Sequence, residues 1–201
     1  ITNKHVALPN NNTPQKLVFH LREISNNKVE WLPIEIKQDE LKGRILLHQN
    51  SEVDIVAIKI DDLIINITKS NKKIMSPGTL TNDHLPSNSP LSVDVTTDII
   101  VASYPRLFHD TENKFPIVKS GIIASGWGLK FQGMPYFLID AQLFPGSSGG
   151  LVISKPTNFA MINNNFKYNK EKDFVFLGVY SGDFNYEETL SSGNLTLILK
   201  N

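Results

Sequence analysis

The stretch Phe144-Pro145-Gly146-Ser147-Ser148-Gly149-Gly150-Leu151-Val152 sets a glycine-flanked serine directly before a β-branched, strand-like run. A serine hydroxyl that attacks an acyl carbon needs backbone N–H groups aimed at the carbonyl oxygen, which gathers negative charge in the transition state. Gly146 lets the chain turn an amide inward, and Gly149 and Gly150 keep the approach to the serine free of Cβ atoms. A flexible Gly/Ser linker is the other reading of such a stretch. The apolar residues on both flanks speak against it.

A hydroxyl is a weak nucleophile at neutral pH and needs a base, usually a histidine oriented by a buried carboxylate. The chain offers five histidines. His20 lies in a strand pattern, His48, His84 and His109 lie in polar loops, and His5 lies in Thr2-Asn3-Lys4-His5-Val6-Ala7. For the carboxylate, Asp54 in Val53-Asp54-Ile55-Val56-Ala57-Ile58 stands out as an acid inside a run suited to a buried strand. An unpaired charge there is costly, so a buried Asp54 asks for a partner. The plainer alternative is an edge strand with Asp54 facing solvent.

The elements that must position these residues read as strands. Short β-branched or aromatic runs bounded by Asn, Gly, Pro and Ser recur throughout, the pattern of an all-β barrel or sandwich. The expected strands are Lys16 to Ile24, Val29 to Ile36, Val53 to Ile60, Asp98 to Ser103, Ile117 to Ser125, Phe137 to Ile139, Gly150 to Ile153, Phe174 to Tyr180 and Leu195 to Leu199. No helical stripe stands out. Thr68 to Ser92 is polar and rich in Asn, Ser and Pro, which reads as a linker between two β units. Lys155 to Lys172, with its Asn163-Asn164-Asn165 run, reads as an exposed hairpin loop.

Composition narrows the function further. The 201 residues carry 20 Lys+Arg against 20 Asp+Glu, so the basic footprint of a nucleic-acid binder is missing. With no cysteine there is no disulfide, thiol nucleophile or zinc–thiolate site, which leans towards a cytoplasmic, reducing compartment. No apolar run reaches the ~20 residues that span a bilayer, so no membrane partner is expected. No His-x-x-x-His with a nearby acid is present, and neither a metal nor another cofactor is expected. Three Asn-x-Ser/Thr sequons, at Asn11, Asn66 and Asn194, are what chance gives in an Asn-rich chain.

Taken in order, Thr2-Asn3-Lys4-His5-Val6, Asp54-Ile55-Val56-Ala57-Ile58 and Gly146-Ser147-Ser148-Gly149-Gly150 resemble the three signature segments of the chymotrypsin/trypsin-like serine peptidases, in their disulfide-free bacterial form. The resemblance extends through Ile99 to Pro105, Pro116 to Ala124 and Phe137 to Asp140. It implies two antiparallel six-stranded β-barrels, with residues 1–69 as a first, partial barrel, 70–97 as a linker and 98–201 as the second barrel. It further implies a serine endopeptidase acting on peptides or proteins, with Ser148 as nucleophile, His5 as general base and then acid, and Asp54 fixing the imidazole tautomer. The N–H groups of Gly146 and Ser148 would form the oxyanion hole. Gln142 would give the primary specificity pocket an uncharged floor. Ser181 and Gly182 would pair with the substrate backbone, and Asp183 would stand at the pocket wall.

The sequence departs from the family pattern at its ends. The histidine that follows the third strand of the family's first barrel stands here at position 5, so about three strands, roughly 25–30 residues, have no counterpart. A longer natural protein is the expectation. A catalytically silent binding module on the same scaffold, or an esterase-type acyl hydrolase, would use the same residues, and oligomeric state is not legible.

Overall fold

The computed structural model describes residues 1–25, 28–70, 72–75, 79–106, 108, 110–162, 165–184 and 195–199. In chain order the first half contributes β1 (Thr2–Asn3), α1 (Lys4–Ala7), β2 (Lys16–Ser25), β3 (Lys28–Lys37), α2 (Gln38–Arg44), β4 (Ile45–Leu47), β5 (Ile55–Ile58), α3 (Asp61–Lys69) and β6 (Lys73–Met75). The second half contributes β7 (Asp98–Ser103), β8 (Ile117–Ile123), β9 (Tyr136–Asp140), β10 (Leu151–Ser154), β11 (Thr157–Ile162), β12 (Asn165–Asp173), β13 (Phe176–Phe184) and β14 (Leu195–Leu199). The architecture is all-β.

The second half closes into a six-stranded barrel in the order β10-β13-β14-β9-β8-β7. Alternation decides what fills it: in β7, Ile99, Val101 and Ser103 turn inward while Asp98 stays exposed. Ile99, Val101, Ile123, Phe137, Ile139, Val152 and Val175 are wholly buried in one cluster, and Trp127 packs edge-on against Phe137 with ring centroids 4.9 Å apart. Each such side chain contributes about 1.5–3 kcal/mol by leaving water. Strand β8 passes close to the end of β9 at Gly121, where a Cβ would meet the carbonyl of Asp140 and the Ala141 side chain.

The first half forms two three-stranded sheets, β1-β5-β4 and β3-β2-β6. The long hairpin of β2 and β3 pairs Leu17 with Ile36, Leu21 with Leu32 and Ile24 with Val29. Strand β1 lies against β5, with Asn3 opposite Ile55, which carries His5 to the neighbourhood of Asp54.

Four differences from the sequence reading have local causes. Helix α2 places Asp39 and Glu40 in its first turn and Lys42 and Arg44 in its last, favourable at both ends of the helix dipole, but it is too short to show a repeat. Helix α3, DDLIINITK, is rich in β-branched residues and so resembles a strand by composition. The stretch read as linker gives up Lys73–Met75 to the sheet of the first half, where β6 pairs with β2 and Lys72 binds Glu23 at 3.1 Å. Its later part turns to the second half, with Leu91 and Val93 packed on the barrel core. The stretch read as an exposed loop extends into the ribbon β11-β12, stabilised by the cross-strand pair Phe159 and Tyr168. Asn163 and Asn164 lie outside the described residues, as does His109.

Candidate active site

The serine turn hangs between the end of β9 and the start of β10. Gly146 and Gly149 both take φ of 84°, a left-handed conformation that strains any residue with a Cβ. Space agrees with conformation: a Cβ on Gly146 would lie 2.7 Å from the backbone nitrogen of Arg106, and one on Gly149 would strike the Thr2 hydroxyl. The turn is curled by its own amides, because Ser147 N–H donates to the Phe144 carbonyl (3.1 Å) and Gly150 N–H to the Ser147 carbonyl (3.0 Å). Gly149 N–H donates across to the Tyr180 carbonyl at 2.8 Å. The two amides left over, those of Gly146 and Ser148, donate to no described residue.

Asp54 stands just before β5 and is gripped from several sides. Its carboxylate accepts the backbone N–H of His5 at 3.0 Å, meets His5 Nδ1 at 2.5 Å, and accepts the hydroxyl of Ser181 at 3.1 Å. Its carbonyl accepts from the side chain of Asn3 (2.9 Å) and the N–H of Lys4 (3.2 Å). With an Nδ1–H donating to the carboxylate, the other ring nitrogen of His5 is left as an acceptor, the tautomer a general base requires. The His5 side chain is half exposed and open to a reactant.

Ser148 Oγ donates to the backbone carbonyl of Ser181 at 2.9 Å, and among the described residues it makes no hydrogen bond to the His5 ring. Ser181 therefore stands between the two halves of the site, its hydroxyl on Asp54 and its carbonyl on Ser148. Strand β13 pairs with β10 as far as Val179 opposite Leu151, and Tyr180 N–H still reaches the Gly150 carbonyl. Past that point β14 covers one edge, with Gly182 opposite Leu197, and no described strand covers the other.

Two other residues expected to set specificity are Gln142 and Asp183. Gln142 is exposed and borders a groove with Asp98, Ser120, Gly121, Asp140 and Lys155, with no hydrogen bond to Ser148 or Ser181. Asp183 pairs with Thr196 in the barrel, and its side chain lies outside the described residues. Sequence reasoning missed one contributor, Asn3, and one role of Ser181, which it expected only to pair with a substrate backbone. Asn3 is wholly buried and ties β1 to Asp54, and Ser181 reaches Asp54 with its hydroxyl. Neither leaves a signal in spacing, since both depend on a strand from elsewhere in the chain arriving alongside.

Among the described residues no three His, Asp or Glu side chains gather closely enough to hold a metal ion, and no helix is long and apolar enough to cross a membrane. Residues 1–159 match the family model described as the trypsin-like peptidase domain. That range contains His5, Asp54 and the whole serine turn, and ends before Ser181. No curated protein matches the chain.

Proposed function

The chain belongs to the family of trypsin-like peptidase domains, and on that premise we propose that it is a serine endopeptidase working through Ser148, His5 and Asp54. The observation that carries this reading is the junction at Ser181: one residue bonds the carboxylate that holds the His5 ring and accepts the hydroxyl of the serine whose turn exposes two unengaged amides.

In this mechanism a substrate strand lies along the uncovered edge at Ser181 and Gly182, and one of its N–H groups replaces Ser148 Oγ on the Ser181 carbonyl. The hydroxyl, released, turns to the free ring nitrogen of His5. Ser148 Oγ then attacks the scissile carbonyl while His5 takes its proton, and Asp54 stabilises the imidazolium that results. The oxyanion accepts hydrogen bonds from the amides of Gly146 and Ser148. Collapse breaks the C–N bond, His5 gives its proton to the leaving amine, and an acyl-Ser148 remains. Water, deprotonated by His5, attacks that ester, and Ser148 leaves with the proton restored. Gln142 is retained in this reading as an uncharged determinant of the residue before the cleaved bond.

Labelling by a fluorophosphonate, read by intact mass, tests the nucleophile. One adduct on the parent and none on Ser148→Ala is expected; labelling that survives the substitution removes Ser148. A peptide library then separates peptidase from esterase, since turnover of activated esters without cleavage of any peptide would assign the triad to ester hydrolysis. Strict cleavage after Arg or Lys in the same library would overturn the role given to Gln142.

A further inference from the structure

We propose that the buried hydroxyl pair Ser103 and Ser147 positions the turn that carries Gly146 and Ser148, so that both are positioning residues for peptide hydrolysis. This rests on the reading of Ser148 as nucleophile and adds the part of the barrel that aims its amides.

Ser103 is the last of three inward residues of β7, after Ile99 and Val101, and is 3% exposed. An apolar side chain would continue that row, and a hydroxyl at the same depth costs free energy unless it finds a partner. The partner is Ser147, 1% exposed, whose Oγ accepts the Ser103 hydroxyl at 3.2 Å. Ser147 lies between Gly146 and Ser148 in sequence, so its Cα is shared by the two peptide planes that join them. The plane towards Ser148 carries the unengaged Ser148 N–H, while the plane towards Gly146 carries the bonded Ser147 N–H and meets, at the Gly146 Cα, the plane that carries the Gly146 N–H. A shift of Ser147 therefore redirects the first amide directly and the second through one further plane. The Ser147–Phe144 and Gly150–Ser147 bonds tie these planes only to the turn itself, and anchoring the Ser147 side chain on β7 fixes their direction relative to the barrel.

The surroundings are shaped for the pair. A Cβ on Gly150 would lie 2.8 Å from the Ser103 Cβ and 2.9 Å from the Ser147 carbonyl, so glycine there is what admits β7 so close to the turn. Both partners are uncharged, and the anchor stays in place with no buried ion to compensate. Hydrogen bonds from the two amides strengthen as charge develops on the substrate oxygen, so loss of their aim is felt in the transition state more than in substrate binding.

The test is a double-mutant cycle on the full chain with Ser103→Ala, Ser147→Ala and the double variant, measuring kcat and KM on a cleaved peptide and affinity for a peptidyl boronate. Each single change is expected to lower kcat roughly tenfold or more, with KM within about twofold, and to weaken the boronate by a matching factor. The double variant is expected to lose no more than the larger single loss, because both substitutions remove one shared bond. Folded variants with kcat within about twofold of the parent, losses confined to KM, or losses that multiply in the double variant each overturn the proposal. If Ser147→Ala fails to fold, Ser103→Ala decides by the same kcat and boronate readings. A parent protein that neither cleaves peptides nor takes up a fluorophosphonate overturns the reading of Ser148 and this proposal together, whereas an active parent with unaffected variants overturns the proposal alone.

Discussion

In the second half, Ile99, Val101, Ile123, Phe137, Ile139 and Val152 share one buried cluster inside a closed barrel, whereas the buried residues around His5 and Asp54 fall into small groups, Ala7 with Leu8 and Val56, and Val53 with Ile55. The serine turn is thus mounted on a rim whose shape is set by apolar packing. His5 and Asp54 are held by polar grips instead: Asn3 and Lys4 on the Asp54 carbonyl, His5 and Ser181 on its carboxylate. An apolar cavity of about 690 Å³ lies between the halves, lined in part by Leu21, Ile64, Ile74, Leu151, Phe176 and Val179. Cooperative packing therefore holds the side of the serine turn, and local directional bonds hold the side of His5 and Asp54.

Chemistry should ignore that difference and stability should report it. Ser148→Ala in the turn on the barrel rim and His5→Ala in α1 are each expected to cost about 10⁴-fold or more in kcat, with the double variant scarcely worse, because in the proposed mechanism the residues act as one unit. A single-turnover assay on the three proteins measures this, and independent, multiplying losses would break the proposed triad. Asp54→Asn should fall by about 10⁴-fold in kcat through the wrong imidazole tautomer, checked by steady-state kinetics beside circular dichroism.

Stability should separate the halves. Phe137→Ala is expected to cost about 3–5 kcal/mol of unfolding free energy, and Leu8→Ala, in its small cluster, about 2 kcal/mol. Denaturant unfolding followed by Trp fluorescence compares them, and equal costs would show that the first half is packed as cooperatively as the barrel. Ser181→Ala removes one bond to Asp54 without touching either core and is expected to lower kcat roughly tenfold with little change in thermal midpoint.

The smallest effect belongs to the surface. Arg44 clasps Asp62 through both carboxylate oxygens, at 2.5 and 2.7 Å, and that bond lowers the Asp62 carboxyl to about 2. The stabilisation it gives is complete above the ordinary carboxylate value near pH ~4 and is lost as pH falls through about 2. Thermal midpoints of the parent and of Arg44→Met should therefore differ slightly at neutral pH and converge in acid, the opposite trend marking the clasp as irrelevant.

Much of the barrel was legible because alternation is a local property. Asp98 to Ser103 and Leu195 to Leu199 match the strands residue for residue, and the others shift by a few positions at their ends. The short helices escaped because α1 has four residues and α2 seven, too few turns for a period to register. Strand β6 escaped because Lys73–Met75 becomes a strand only when β2 lies beside it. Within the site, the oddity of Asp54 in an apolar run was readable, and so was the need for glycines around Ser148. The places of Gln142 and Asn3 were not, since each depends on which strand packs over it.

The sequence by itself determined the residue types that can do acyl chemistry, the glycines that let a turn present amides, and the alternation that closes a barrel, because all of these are written in neighbouring positions. Tertiary structure alone decided that the His5 ring meets the Asp54 carboxylate, that Ser181 bonds to both Asp54 and Ser148, and that Ser103 lies beneath Ser147. These are contacts between segments 33 to 127 residues apart. Their geometry follows from strand register and sheet closure, which no stretch of sequence specifies until its partner strand is in place.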